Sequence, residues 1–318
     1  MIGTPLLQVC DVTKEFHQHG RIVHAVQEVS LQIAAGETVG LVGESGCGKS
    51  TLARLIVRLD DPTSGRVMFD GQDLTRMPER RLRHVRKDVQ IVFQDPTTAL
   101  NPSWSVRHLI AEPLHLHGVA GGDARVQEVL NEVELTRGVL HRRPGQLSVG
   151  QRQRVAIARA IVTRPRFIVL DEPTASVDMS IRLSLLGLLR DLQREYGLTY
   201  LFISHDLSTV RHLCDRVLVM YMGRVVEYGP TAGVFADPAH VYTRILLSAI
   251  PIPDPTVKPS RLMARGEPPS PTEVPSGCPF RTRCPEVVEI CAQPQAFARV
   301  GPGHEAACRL ASERRGEE

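Results

Sequence analysis

Residues 40–51 read Gly-Leu-Val-Gly-Glu-Ser-Gly-Cys-Gly-Lys-Ser-Thr, and the fold class follows from what flanks this stretch. Gly43, four further residues, Gly48, Lys49 and Ser50 fit the phosphate-loop pattern in full. The apolar run Thr38 to Val42 predicts a buried strand ahead of the loop, and a helix is expected to start near Lys49. Gly43, Gly46 and Gly48 let successive backbone N–H groups turn inward, and the positive end of the helix completes an anion nest. The whole run Gly43, Glu44, Ser45, Gly46, Cys47, Gly48, Lys49, Ser50 and Thr51 is the expected nucleotide cradle. Lys49 would reach the β- and γ-phosphates as a point charge, and the Ser50 hydroxyl would ligate Mg²⁺. The plain alternative is a Gly-rich turn between strand and helix; the Gly-Lys-Ser ending after an apolar strand weighs against it.

At 318 residues the chain is long enough for one large or two moderate domains with ample core. Hydrophobic residues at 42% and charged residues at 23% fit a globular protein of mixed surface. A net charge of +3 is too mild to point to nucleic acid. No apolar run approaches the ~20 residues needed to span a bilayer. The first ten residues lack a basic region and a long apolar core, so no signal peptide and a cytosolic location are expected. In that compartment the seven cysteines are expected as thiols or metal ligands, not disulfides.

Leu6 to Phe16 and Ala25 to Ile33 alternate apolar and polar residues around a His-Gln-His-Gly-Arg turn, which predicts an antiparallel sheet ahead of the loop. Phe16 ends the first strand; its ring could stack on an adenine or simply fill a core. After the loop, a helix through Leu52 to Leu59 is broken at Asp60-Asp61-Pro62-Thr63-Ser64-Gly65, and Arg66 to Phe69 read as a short strand. Val89 to Phe93 form another strand that delivers Gln94 to its end. Helical patterns follow at Val106 to Leu116 and at Ala124 to Leu135, where Val126, Val129, Leu130 and Val133 share one apolar face. An α-helical subdomain is thus expected to be inserted between about 95 and 165.

That insertion closes on Leu147-Ser148-Val149-Gly150-Gln151, with Ser148 as N-cap of a strong helix-forming run. Phe167-Ile168-Val169-Leu170-Asp171-Glu172 then places two acids at the C-terminal end of a buried strand, the edge where open α/β sheets bind ligands. Asp171 is placed to hold Mg²⁺ through water, and Glu172 to polarise an attacking water. Tyr200 to Ser204 read as one more buried strand, whose end carries His205, a candidate for the γ-phosphate. Arg216 to Tyr228 read as a hairpin turning at Met222-Gly223.

Taken together these motifs resemble the ATP-binding subunit of ABC transporters, most closely the peptide and nickel importer branch, over essentially the whole chain. The resemblance implies a phosphate-loop ATPase core with an antiparallel β subdomain, an inserted helical subdomain and a Cys-rich tail. It makes Gly43 to Thr51 the Walker A loop, Gln94 the Q-loop residue and a further Mg²⁺ ligand, and Leu147 to Gln151 the signature, with Ser148, Gly150 and Gln151 on nucleotide. It makes Phe167 to Glu172 the Walker B strand, Ala175 to Asp178 the D-loop with Asp178 at the nucleotide, and His205 the switch histidine; Glu172, His205 and Lys49 carry catalysis. The branch rests on Gln94-Asp95-Pro96 leading to Leu100-Asn101-Pro102, on His240-Val241-Tyr242-Thr243, on Leu247 to Pro251, and on Gly266-Glu267-Pro268 to Cys284-Pro285.

The resemblance further implies ATP and Mg²⁺ as cofactors and a pair of ATPase subunits, identical or homologous, that sandwich each nucleotide between one loop and the other's signature. It implies two membrane permease subunits, gripped through the groove near Gln94 to Trp104, and an extracytoplasmic solute-binding protein, with this subunit peripheral on the cytoplasmic face of the inner membrane. The function expected is ATP hydrolysis that powers import of di- or oligopeptides; nickel, glutathione and other small solutes are the alternatives. A soluble ABC ATPase working on nucleic acid or ribosomes would carry two cassettes or a coiled-coil insertion, and an exporter ATPase would lack the tail. Two departures stand out: Val149 where the family has glycine, and Ser176-Val177-Asp178 where Ala-Leu-Asp is usual. A β-branched Val149 is expected to crowd the approach to the partner's phosphates.

The ATPase domain is expected to end near 250. Between Pro251 and Pro275 eight of 25 residues are proline, which predicts an extended linker. Beyond it, residues 276–318 are expected to form a separate module in which Cys278, Cys284, Cys291 and Cys308 cluster with five, six and sixteen residues between them. Four soft ligands in a loop-rich segment suggest Zn²⁺ or an iron–sulfur cluster, with ordinary buried thiols as the plain reading. The family resemblance favours [4Fe–4S].

Overall fold

Thr38–Val42 is a strand buried at every position, as its unbroken apolar run requires of a parallel strand covered on both faces. The computed structural model describes residues 5–18, 20–175, 177–250 and 262–313. Ser176 and the first part of the expected linker, 251–261, lie outside the described residues. The chain divides into two units, Gln8–Gln32 with Val39–Val67 and Ser204–Glu318, and Met1–Leu7 with Ile33–Thr38 and Met68–Ile203.

The first unit holds the phosphate loop. The Thr38–Val42 strand runs parallel to Arg216–Tyr221, in register from Val39 opposite Arg216 to Val42 opposite Val219. Met222 and Gly223 turn the chain with φ of 48° and 79°, the pair of left-handed residues that a tight hairpin turn demands, and Arg224–Pro230 returns antiparallel. In the β subdomain, Leu7–Gln18 and Arg21–Ile33 run longer than the periodicity suggested; Val12, Val26 and Val29 fill its core. The Lys49–Ile56 helix stops short of the expected Leu59, because Arg58 takes a left-handed φ of 55°.

The tail corrects two expectations. It is not a separate module: His304–Ala306 pairs antiparallel with Arg224–Pro230, Glu227 opposite Ala306, and Ala298–Gly301 pairs with His304–Ala306. Nor is the second half of the Pro-rich segment a free tether. The Pro271 carbonyl accepts from His24 N at 3.1 Å, and Arg265 N donates to Arg283 O at 2.8 Å. Proline removes donors but leaves carbonyls free to accept, so a proline-rich run docks through its oxygens.

The second unit contains the parallel strands Val89–Val92, Phe167–Asp171 and Thr199–Ile203. Between the first two lie the helices Pro96–Ala99, Val106–His117, Gly122–Glu132 and Val149–Ile161, which is the helical insertion read from periodicity. Val126, Val129, Leu130 and Val133 are each at most 1% exposed, and burying side chains of this size stabilises by about 1.5–3 kcal/mol each. Phe167–Asp171 ends on Asp171, and Met179–Tyr196 follows it as a long helix with Leu185, Leu188, Leu189 and Leu192 buried.

Candidate functional site

The phosphate loop owes its shape to three glycines with positive φ. Gly43, Gly46 and Gly48 have φ of 153°, 78° and 103°, a region closed to most L-residues. Space forbids a side chain as well: a Cβ on Gly43 would come within 2.1 Å of Met220 O, and one on Gly48 within 2.2 Å of Ala25 O. Lys49 opens the helix and is only 5% exposed. Its ammonium is held over the loop, donating to Gly43 O at 2.8 Å and Glu44 O at 2.9 Å. Cys47 lies 3.7 Å from it; burial pushes the Cys47 thiol up and Lys49 pulls it partway back. Ser45, Gly46 and Ser50 are exposed, and Thr51 is half-buried.

His205 joins the same unit through its neighbour, since Ser204 N donates to Leu41 O at 3.2 Å. The His205 side is thereby fastened to the strand that feeds the loop, and the imidazole is exposed. Phe16 is half-buried near the end of its strand, with Lys14 Nζ 4.9 Å from its ring centroid.

The other expected residues lie in the second unit. Asp171 ends its strand and is 6% exposed. Glu172 follows with a left-handed φ of 46°, an uncommon conformation for a non-glycine residue, fixed by Glu172 N donating to Ile203 O at 3.0 Å. The Gln94 amide donates to Glu172 Oε2 at 3.0 Å, so these two side chains meet although 78 positions separate them. Ser148 and Gln151 form a reciprocal capping box: Ser148 Oγ accepts from Gln151 N at 3.2 Å and Gln151 Oε1 from Ser148 N at 3.1 Å. Gly150 faces Ile181, whose Cγ2 would lie 3.0 Å from an added Cβ, whereas Val149 is exposed. Asp178 caps the Met179–Tyr196 helix, and the Ile181 amide followed by the Ser180 hydroxyl holds its carboxyl below the usual range.

The four tail cysteines, each at most 9% exposed, line one small cavity together with His240 and Phe280. Burial pushes the Cys278 thiol up to about 12, and the other three sulfurs add to the rise. His240 is neutral, its pKa lowered by burial to about 4. Its Nδ1 accepts from Tyr242 N at 3.1 Å, so its proton sits on Nε2, which points at Cys278 Sγ 3.8 Å away. Among the described residues no three His, Cys, Asp or Glu side chains close to the spacing of ligands around a single ion.

Sequence reasoning missed Tyr221, Tyr242 and Arg283, which pack around the loop with Phe280. Tyr242 Oη accepts from Glu44 N at 2.8 Å, and Arg283 Nη1 donates to Glu44 Oε2 at 2.8 Å. The signals were His240-Val241-Tyr242-Thr243 and the stretch from Gly266 to Pro285, which helped carry the branch resemblance but gave these residues no role.

The ABC transporter family model matches residues 26–175, and the model for the oligopeptide/dipeptide transporter C-terminal region matches residues 226–291. A provisionally named peptide import ATP-binding protein of Brucella ovis is 45% identical over 97% of this chain and 98% of its own length. The oligopeptide transport ATP-binding protein AppF of Bacillus subtilis is 43% identical over 96% of this chain and 98% of its own. A solved dimeric ATP-binding cassette, in a post-hydrolysis state bound to ADP and Pi, is 32% identical with a TM-score of 0.66 over 71% of this chain and 98% of that one. By fold, by motif order and by relatives matched nearly end to end, the chain belongs to the ABC transporter ATP-binding family, in the branch that carries the oligopeptide/dipeptide transporter C-terminal region.

Proposed function

We propose that this chain is the ATP-binding and ATP-hydrolysing subunit that powers peptide import through an ABC transporter. The observation that carries the reading is the loop itself, three left-handed glycines around a buried Lys49 held over the carbonyls of Gly43 and Glu44. Amides within Ser45 to Thr51 would wrap the phosphates, Lys49 would reach the β- and γ-phosphates, and the Ser50 hydroxyl would sit on Mg²⁺. Asp171 and Gln94 would complete the Mg²⁺ surroundings, with Asp171 acting through water. Glu172, oriented by Gln94, would polarise the attacking water, and His205 would donate to the γ-phosphate. Mg²⁺ when bound neutralises charge developing on the transferred phosphoryl group.

In this reading Ser148, Gly150 and Gln151, with Asp178 nearby, serve the nucleotide of a second ATPase subunit, homologous or identical. Two permease subunits and an extracytoplasmic binding protein complete the importer, with this subunit on the cytoplasmic face of the inner membrane and no part for nucleic acid. Residues 1–250 form the nucleotide-binding domain with its helical part at about 95–165, followed by the Pro-rich segment 251–275 and the cysteine-rich region 276–318. Co-expression with a permease pair and reconstitution in vesicles test the proposal: ATP inside should drive uptake of labelled peptide, and Lys49→Ala should abolish both nucleotide binding and uptake. Uptake of nickel or glutathione with no peptide uptake would overturn the solute assignment.

Four buried thiols lining one cavity beside His240 form a set of soft ligands. Following the family resemblance, Cys278, Cys284, Cys291 and Cys308 would hold [4Fe–4S], with Zn²⁺ as the alternative and the His240 Nε2–H directed at the Cys278 sulfur as a supporting hydrogen bond. Cluster–thiolate bonds supply folding free energy to a segment with little core of its own. Anaerobically purified protein should contain iron and acid-labile sulfide; one zinc per chain and no iron would replace the cluster with Zn²⁺, and neither metal would remove the site.

A further inference from the structure

Glu44 is the one acidic residue in Gly43 to Thr51, and a carboxylate there repels the phosphates that the loop is shaped to hold. Its charge is felt inside the loop: burial chiefly raises the Cys47 thiol, Lys49 lowers it, and Glu44 adds to the rise. The charge that answers Glu44 comes from 239 positions away. Arg283 Nη1 lies 2.8 Å from Glu44 Oε2, with the arginine side chain 11% exposed and the glutamate 33%.

Arg283 is aimed by the cysteine-rich tail. Its amide donates to Phe280 O at 2.9 Å and its carbonyl accepts from Arg265 N at 2.8 Å. Its guanidinium lies 5.8 Å from the Phe280 ring centroid and 3.5 Å from Tyr221 Oη. The next residue, Cys284, lines the thiol cavity. On the loop side, Tyr242 takes the Glu44 amide proton and packs against Phe280 and Tyr221 at 5.3 and 4.7 Å. Glu44 is therefore held at its amide and at its carboxylate by residues that pack together with the tail.

We propose that Arg283 is a positioning residue for nucleotide binding: it neutralises Glu44 and draws its carboxylate off the phosphate site, which makes ATP affinity depend on a folded cysteine-rich tail. The inference rests on the reading of the loop as the ATP site. Because the effect is electrostatic and uniform between ground and transition states, losing Arg283 should raise KM for ATP and leave kcat in the assembled transporter near wild type.

The test is titration of a fluorescent ATP analogue into full-length, anaerobically purified chain. Arg283→Met should weaken binding about tenfold, the scale of a lost hydrogen-bonded charge partner. The deficit should shrink as salt is raised, and adding Glu44→Gln should restore affinity, since no charge then needs an answer. Arg283→Lys should retain most of the binding. Wild-type affinity in Arg283→Met overturns the inference, and so does a loss that Glu44→Gln fails to restore. If Arg283→Met does not fold, Arg283→Gln is titrated in its place: a salt-sensitive loss of about tenfold supports the inference and wild-type affinity overturns it. Lys49→Ala separates the two claims, because unchanged binding there sinks the ATP site itself.

Discussion

Glu227→Ala removes the group that ties the tail to the hairpin, and its cost follows from the contacts. The side chain is fully buried. Oε1 accepts from Ala239 N at 2.8 Å and from His304 Nε2 at 2.7 Å, and Oε2 accepts from His240 N at 2.9 Å. Truncation leaves three buried donors without an acceptor, each a penalty of about 1–3 kcal/mol, less what entering water recovers. A net loss of about 3–5 kcal/mol is expected, the range seen when one partner of a buried pair is removed. At about 2–4 °C per kcal/mol for a unit of this size, the melting temperature should fall by roughly 6–20 °C. Urea unfolding gives the free energy, and amide exchange gives the place: protection should drop first over 298–311 and at 239–240. Glu289→Ala, on an exposed side chain, is the control and should stay within about 0.5 kcal/mol. A loss under 1 kcal/mol for Glu227→Ala, or exchange unchanged in the tail, would refute the view that this carboxyl group fastens the tail strands to the body.

Glu172→Gln should keep ATP binding and lower hydrolysis about 10²–10⁴-fold in the assembled complex, checked by phosphate release; near-normal turnover would remove Glu172 as the base. Val149→Gly should raise ATPase activity in the full transporter, because the exposed valine opens the signature helix where the family has glycine; equal or lower activity would show that the side chain is accommodated. Burial raises the Cys214 thiol, and Asp215 adds to it, so its thiolate fraction at pH 8 is small. Mass spectrometry should find half-buried Cys10 labelled by maleimide well before Cys214 in folded protein; equal rates would contradict the burial.

What was legible in the sequence is what is decided locally. Thr38 to Lys49 states a strand, a loop and a helix within twelve residues, and only glycine satisfies both the φ values and the crowding at Gly43 and Gly48. The Ser148–Gln151 capping box and the Met222-Gly223 turn are equally local, and both form where read. The Gly122–Glu132 helix begins two residues earlier than read, at Gly122, a poor helix former that propensity passes over, with Gly121 as its N-cap. The docking of the tail was not legible. Three residues, His304 to Ala306, have no strand periodicity of their own, and they become a strand because Glu227 and Tyr228 present a free edge to pair with. Arg283 offered even less, one arginine among many until the fold set it beside Glu44.

That long-range pairing bears on when the loop becomes complete. Closing a longer chain segment adds only about 0.6 kcal/mol per doubling of length, so the 239 positions between Glu44 and Arg283 and the 198 between Glu44 and Tyr242 are little burden on the finished fold. Time during synthesis is a different matter. At about 5–20 residues per second the loop strand is made on the order of ten to fifty seconds before Arg283 leaves the ribosome. Throughout that interval Glu44 lacks its cation, and for most of it also the tyrosine that accepts from its amide. With Arg283 neutralising Glu44, the phosphate loop of an unfinished chain binds nucleotide more weakly than the loop of a complete one. A motif written entirely in residues 43–51 thus reaches its working electrostatics only when the last sixth of the chain has folded onto the same unit.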